Sequence, residues 1–301
     1  MNPINEIILQ RTRFVVLFFA LLLAVSVQAQ TAAPAARIEA VKFESRLIGE
    51  PLPYNVVLPP DYDAPQSRAI RYPVLYLLHG LAGSSADWVS SKAHLAEDAA
   101  RHRLIIVTPK GKNSWYTDSA VAPADKYETY FLTELIPDVE KHYRTLSTRD
   151  ARAVAGLSMG GYGALKFGLK YPERFILTAS MSGALRAPSW EQNDPNLPAW
   201  IKPSIARVYG PMDSPTRAAN DLFKLFTDLT DERIPALPFF YLDCGTDDFL
   251  FDSNRALSEL LLRRKIPHEY RQLPGTHNWP YWDVQVREVL NLASRRMRAA
   301  Q

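Results

Sequence analysis

Cysteine, net charge and long apolar stretches are all scarce in this chain. Cys244 is the only cysteine among 301 residues, so no internal disulfide can close and stability must come from packing. It stands in the strand-like run Phe239-Phe240-Tyr241-Leu242-Asp243-Cys244 and reads as a small buried apolar residue. The formal charge of +3 at pH 7 falls by one when Arg11, Arg13 and Glu6 of the N-terminal segment are set aside. So slight a surplus gives no reason to expect nucleic acid or an anionic membrane as a partner. No internal repeat and no change of composition marks a second domain.

The longest unbroken apolar run, Phe14 to Val25, is too short to span a bilayer comfortably. Arg11 and Arg13 precede it, and Ser26-Val27-Gln28-Ala29-Gln30 follows, with Val27 and Ala29 at the third and first positions before a cut after Ala29. A basic region, an apolar core and small residues at the cut describe a secretory signal over residues 1–29. The mature chain is therefore expected to be secreted or periplasmic, without stable membrane insertion. No cysteine follows the apolar run, which argues against a lipid anchor. Removing 29 of 301 residues leaves 272, a usual length for one α/β domain. Residues 30–37 are Ala/Pro-rich and are expected to be a disordered leader, with a single domain over 38–301.

What is present is an alternation of apolar strands with amphipathic helices. Val41-Lys42-Phe43 and Tyr54 to Leu58 alternate between Gly49, Pro51 and Pro59, predicting two antiparallel edge strands. The run Arg71 to Leu78 predicts a strand covered on both faces. Further strands are expected at Leu104 to Thr108, Ala151 to Ala155, Phe175 to Ser180, Leu237 to Cys244 and His268 to Gln272. Helices are expected at Ala93 to Arg101, Tyr127 to Tyr143, Gly160 to Lys170, Ser253 to Lys265 and Tyr281 to Met297. This spacing predicts an α/β fold with a mostly parallel, doubly wound sheet. Between Ala184 and Pro235 prolines interrupt the pattern, with Trp190 and Trp200 among them; a short cap insertion over the sheet is expected, with helix near Ala218 to Thr227.

The motif that organises the chain is Gly156-Leu157-Ser158-Met159-Gly160, between an apolar strand and an Ala/Leu-rich helix. A serine at such a sharp turn has its hydroxyl exposed, and small residues two positions either side avoid collision. Ser158 is the candidate nucleophile. It needs a general base and an orienting acid, which in α/β-hydrolases follow in the order Ser, Asp, His. Of the histidines downstream, His268 begins the last strand, whereas His277 lies in Leu273-Pro274-Gly275-Thr276-His277-Asn278-Trp279, a loop before the final helix, and is the candidate base. The acid should follow the preceding strand, in Gly245-Thr246-Asp247-Asp248; Asp248 is favoured, Asp247 stays as the alternative, and the other carboxylate is expected to cap the following helix. Two amides are expected to bind the oxyanion: that of Met159, and that of Leu81 in His79-Gly80-Leu81-Ala82-Gly83. His79 is expected to brace that loop. No metal or cofactor is needed.

Several motifs together resemble the Putative esterase family. They are His79-Gly80-Leu81, Asn113-Ser114-Trp115-Tyr116-Thr117-Asp118, Glu134-Leu135-Ile136-Pro137, Gly156 to Gly161, Cys244 to Leu250, and Gly275-Thr276-His277-Asn278-Trp279. That family includes esterase D (S-formylglutathione hydrolase), tributyrin esterases, microbial feruloyl esterases and the mycolyltransferases. The likeness runs from about Phe43 to the C-terminal helix. It implies an α/β-hydrolase fold, carries the nucleophile to Ser158, the acid to Asp248 and the base to His277, and places the oxyanion hole at Leu81 and Met159. The export signal argues against a cytosolic glutathione-thioester hydrolase, and no extended lipid-binding cap is evident for a mycolyltransferase.

The expected function is that of an exported serine carboxylesterase acting on short-chain or aromatic acyl esters, free or carbohydrate-linked. Trp115, Tyr116 and Trp279 are the candidate substrate-binding aromatics, with a place in the core the equal alternative for Trp115 and Tyr116. Alternatives left open by the residues are acyl transfer to an alcohol, a serine peptidase, and a non-catalytic carbohydrate-binding relative.

Overall fold

Strands that are apolar on both sides need cover on both faces, and in a computed structural model of the chain they have it. The structure describes residues 36–195 and 197–299, so the expected signal and nearly all of the leader lie outside the described residues.

Eight strands form one sheet: β1 (Arg37–Val41), β4 (Tyr54–Leu58), β5 (Val74–Leu78), β6 (Ile105–Pro109), β7 (Arg152–Leu157), β8 (Leu177–Met181), β9 (Phe239–Gly245) and β10 (His268–Leu273). Their order is β1-β4-β6-β5-β7-β8-β9-β10. A small hairpin of β2 (Glu44–Ser45) and β3 (Glu50–Pro51) stands apart. Strands β6, β5, β7, β8, β9 and β10 pair in parallel, and β4 runs antiparallel to both of its neighbours. The expectation of two antiparallel edge strands is corrected in one respect. β1 is the edge and ends at Val41, while β4 is a fully buried inner strand between β1 and β6. Phe43 packs instead against Tyr54 and Tyr130.

The chain order reverses between β5 and β7, so the loops after these two central strands diverge and leave a crevice at their carboxyl ends, where ligands bind in such sheets. One face of the sheet is covered by α1 (Leu95–Ala99) and by the C-terminal helix α9 (Trp279–Arg296). The other carries α4 (Met159–Lys170), α8 (Phe251–Arg263), and a helix in three parts: α2 (Tyr127–Tyr130), a π turn (Phe131–Leu135) and α3 (Ile136–His142). The segment 127–143 was expected as one helix; the π turn falls just before Pro137, which has no N–H to continue the α-helical ladder. Along β5, Val74, Tyr76 and Leu78 join one core and Leu75 and Leu77 the other, as strand alternation requires.

The insertion after β8 holds α5 (Lys202–Tyr209), α6 (Pro215–Asn220) and α7 (Leu222–Asp228). The last two are separated at Asp221, whose carboxylate accepts the Phe223 and Lys224 amides and starts α7. Buried Arg217 ties the insertion together by donating to the carbonyls of Pro188, Trp190 and Gly210. Among the described residues no helix is long and apolar enough to cross a membrane.

Candidate active site

Ser158 sits between the end of β7 and the start of α4 with φ 53° and ψ −116°. A non-glycine residue there carries about 1–3 kcal/mol of strain and persists only when its surroundings over-determine it. They do so here: the Ser158 amide donates to the Met181 carbonyl at 2.9 Å, and its carbonyl accepts the Tyr162 and Ala184 amides at 3.0 and 3.1 Å. The flanking glycines touch. A Cβ on Gly156 would lie 2.5 Å from the Gly160 carbonyl carbon, and one on Gly160 would lie 2.6 Å from the Leu78 carbonyl oxygen. The turn is therefore as tight as the sequence spacing implied.

The loop after β9 brings Asp248 inward. Its carboxylate is shielded from solvent, accepting the Leu250 amide on Oδ1 at 2.8 Å and facing His277 Nδ1 with Oδ2 at 2.8 Å. His277 Nε2 lies 3.0 Å from Ser158 Oγ. The carboxylate beside Nδ1 favours the tautomer with its proton there, leaving the Nε2 lone pair for the serine hydroxyl. Asp247 is exposed, and its amide donates to the Gly275 carbonyl at 3.0 Å. Neither aspartate caps α8, whose N-cap position is Leu250 and has no side-chain cap.

Two amides border the serine. Met159 is the first residue of α4, where the helix dipole favours negative charge. Leu81 follows Gly80, on which a Cβ would stand 2.6 Å from a Leu157 methyl and 3.5 Å from Ser158 Cβ. Among the described residues neither amide is hydrogen-bonded to the protein. The next amide along, at Ala82 (φ 58°), donates to Asn113 Oδ1 at 2.8 Å. His79 is buried, with Nε2 accepting the Gly111 amide at 2.9 Å and Nδ1 2.7 Å from the Gly80 carbonyl. Burial holds its pKa below the ordinary value, so the ring is a neutral strut for the loop.

Of the three aromatics expected to meet substrate, two are placed elsewhere. Trp115 and Tyr116 are 1% and 2% exposed, which corrects the expectation that their rings lie open beside Ser158. Both adopt positive φ (55° and 50°), turning the rings into the protein. Trp115 Nε1 donates to Ser204 Oγ at 3.0 Å and its ring meets Trp190 edge-on. The Tyr116 hydroxyl donates to the His79 carbonyl at 3.1 Å. They build the loop beneath the site. Trp279 is half-buried between Trp88 and Trp282. Sequence reasoning missed Phe249, 62% exposed with its ring centroid 4.8 Å from that of His277, and Trp282, perpendicular to His277 at 4.9 Å. An exposed apolar side chain directly after the polar turn Gly245 to Asp248 was the signal for Phe249. Among the described residues no group of three or more His, Cys, Asp or Glu side chains is placed to hold a metal ion.

A strained serine linked to a histidine and a buried carboxylate, beside two unengaged amides, can carry acyl transfer. Comparisons with known proteins agree on the type of chemistry. The chain is 32% identical to an acetyl esterase of Caldicellulosiruptor saccharolyticus over 231 residues, covering 73% of this chain and 83% of the relative. It is 33% identical over 257 residues to an esterase of Mycobacterium tuberculosis, covering 78% of this chain and about half (54%) of that longer protein. A solved ferulic acid esterase superposes with a TM-score of 0.74 at 29% identity, covering 87% of this chain and 99% of the other. The Putative esterase family profile matches residues 45–291, and the chain belongs to that family of ester hydrolases with the α/β-hydrolase fold.

Proposed function

We propose that the protein is an exported serine carboxylesterase that hydrolyses short-chain or aromatic acyl esters through an acyl-enzyme on Ser158. The observation that carries this reading is the continuous relay from Asp248 Oδ2 to His277 Nδ1 (2.8 Å) and from His277 Nε2 to Ser158 Oγ (3.0 Å). His277 takes the hydroxyl proton as Oγ attacks the acyl carbonyl. The Leu81 and Met159 amides hold the resulting oxyanion, a contribution of about 3 kcal/mol each. Collapse expels the alcohol, which leaves with the proton from the imidazolium, and water then repeats the sequence on the acyl-enzyme.

Relatives named as an acetyl esterase and a ferulic acid esterase support both a small and an aromatic acyl group. The exposed Phe249 ring beside His277 offers a face for the latter. Beside Asn113 opens a polar cavity of about 310 Å³, bordered by Glu50, Lys112, Asp125, Tyr127 and Arg207, which suits a hydroxyl-rich alcohol such as a sugar. Export rests on residues 1–29 and is checked by mass spectrometry of the secreted chain, expected to begin at Gln30.

The test of the reaction is Ser158→Ala, expected to abolish hydrolysis of p-nitrophenyl acetate and butyrate and labelling by a fluorophosphonate. Full activity in that variant overturns the reading. Comparing acetyl, butyryl and feruloyl esters then ranks the acyl groups.

A further inference from the structure

Asp243 is a carboxyl group in a place that suits an apolar residue. It lies near the end of β9, fully buried, on the sheet face covered by α9. Its Oδ1 accepts the Tyr281 hydroxyl at 3.0 Å, while Oδ2 has no hydrogen-bond partner among the described residues. The Tyr241 hydroxyl, two residues back on the same strand, is near enough to interact electrostatically but not at hydrogen-bonding geometry. Burial pushes the Asp243 carboxyl up to about 7, with Tyr281, Tyr241 and Arg271 pulling it partly back and Asp248 adding to the rise. Such a group is costly to keep unless it organises something.

What it holds is the loop that carries His277. The Tyr281 ring packs on Gly275, where a Cβ would stand 2.4 Å from the ring Cδ2. Gly275, at φ 153°, is pressed from the other side against Gly245, on which a Cβ would be 2.3 Å from the Gly275 carbonyl oxygen. Tyr281 also fixes the far end of the loop, since its amide donates to Asn278 Oδ1 at 3.1 Å. His277 is therefore suspended between two points that both depend on Tyr281, and Tyr281 is anchored by Asp243.

We propose that Asp243 and Tyr281 are positioning residues that set the His277 loop so that Nε2 stays in reach of Ser158, without touching substrate. This rests on the reading of Ser158 and His277 as the reacting pair. Displacing a catalytic group by a fraction of an ångström lowers turnover without weakening substrate binding.

The experiment compares Tyr281→Phe, Asp243→Asn and Asp243→Leu on p-nitrophenyl acetate, with thermal unfolding to establish folding. Tyr281→Phe removes only the hydroxyl and is expected to lower kcat about 10-fold with KM within about twofold. Fluorophosphonate labelling of Ser158 should slow by a similar factor. Asp243→Asn keeps an acceptor oxygen for Tyr281 and is expected to retain kcat within about twofold, whereas Asp243→Leu, which has none, should fall with Tyr281→Phe. Folded Tyr281→Phe with unchanged kcat overturns the proposal, as does a rise in KM alone. If Tyr281→Phe does not fold, the Asn and Leu variants at 243 decide the matter: equal kcat in the two overturns it. Failure of the underlying reading is distinct, because it appears as activity in Ser158→Ala.

Discussion

Gly245 and Gly275 meet backbone to backbone: a Cβ on Gly245 would stand 2.3 Å from the Gly275 carbonyl oxygen and 2.5 Å from its carbonyl carbon. The first glycine ends β9 and opens the loop to Asp248; the second opens the loop to His277. The Asp247 and Thr246 amides complete the joint by donating to the Gly275 and Leu273 carbonyls at 3.0 and 2.9 Å. The loops that carry Asp248 and His277 are thus registered against each other by main chain before their side chains meet.

Gly245→Ala tests that joint. The added methyl cannot be relieved by a flexible side chain, because the atoms it meets are backbone, so the two loops must separate. Overpacking of this kind costs about 1–3 kcal/mol of stability. The larger expected effect is kinetic, a fall in kcat of about 10²-fold, since the relay geometry shifts as the loops part. Steady-state kinetics beside thermal unfolding separate the two, and near-normal kcat in the folded variant is the outcome that contradicts the expectation.

The paired aspartates should behave very differently. Asp248→Asn leaves a similar volume but presents an amide to His277 Nδ1, favouring the wrong tautomer and removing the charge that stabilises the imidazolium. In established Ser-His-Asp triads such a change lowers kcat about 10⁴-fold, and a loss of that order is expected here if Asp248 is the acid. Asp247 contributes its amide to the Gly275 carbonyl and keeps its side chain in solvent, so Asp247→Asn should stay within about twofold of wild type. Equal losses in the two variants would place the acid elsewhere.

Much of this arrangement was legible because its signals are local. Gly156 and Gly160 bracket Ser158 at a spacing only a sharp turn explains, and the strand and helix periods around them place that turn at the end of a central strand. Asp248 and His277 come from the Ser, Asp, His order of α/β-hydrolases applied to the loops that follow the last two strands. What was not legible depends on backbone conformation. Trp115 and Tyr116 read equally as loop aromatics that meet a ligand and as core; two successive residues at positive φ turn them into the core, a conformation that sequence signals only at glycine or asparagine. The run Tyr54 to Leu58, flanked by Gly49, Pro51 and Pro59, reads as an edge strand; in the sheet it is an inner strand and its Asn55 is buried, the side-chain amide donating to the Ser85 carbonyl at 2.7 Å.

Phe249 offers a prediction in which folding plays little part. At 62% exposure its ring supports no core, so Phe249→Ala should change stability by less than about 0.5 kcal/mol. If the ring stacks with an aromatic acyl group, KM for a feruloyl ester should rise about 2- to 10-fold, the measured range for aromatic pairs. Acetate esters, with nothing to stack, should be nearly unaffected. Equal KM changes for both esters would mean that Phe249 merely shields His277.

The last prediction concerns the buried charges behind the site. Lys166 is fully buried, donating to the Tyr116 carbonyl and Thr117 Oγ1 at 2.6 Å each and to Glu128 at 2.7 Å. Glu128 also receives Lys170 and the Tyr171 hydroxyl. Burial alone would raise the Glu128 carboxyl, but attraction to Lys166 and Lys170 outweighs it and brings it down to about 2. For Lys166 burial has the upper hand over the same attraction and lowers the ammonium, yet both groups stay charged at neutral pH. Since the carboxyl titrates near 4.5 when unfolded, its contribution is fully present above about pH 4.5 and is lost as pH falls from there toward 2. Glu128→Gln leaves Lys166 buried without its counter-charge, so stability at pH 7 should fall by about 3–5 kcal/mol. Urea unfolding from pH 7 to 2.5 should then show wild type and variant converging below about pH 4.5. Parallel curves through that window would mean that Glu128 is not the carboxylate whose ionisation supports the fold there.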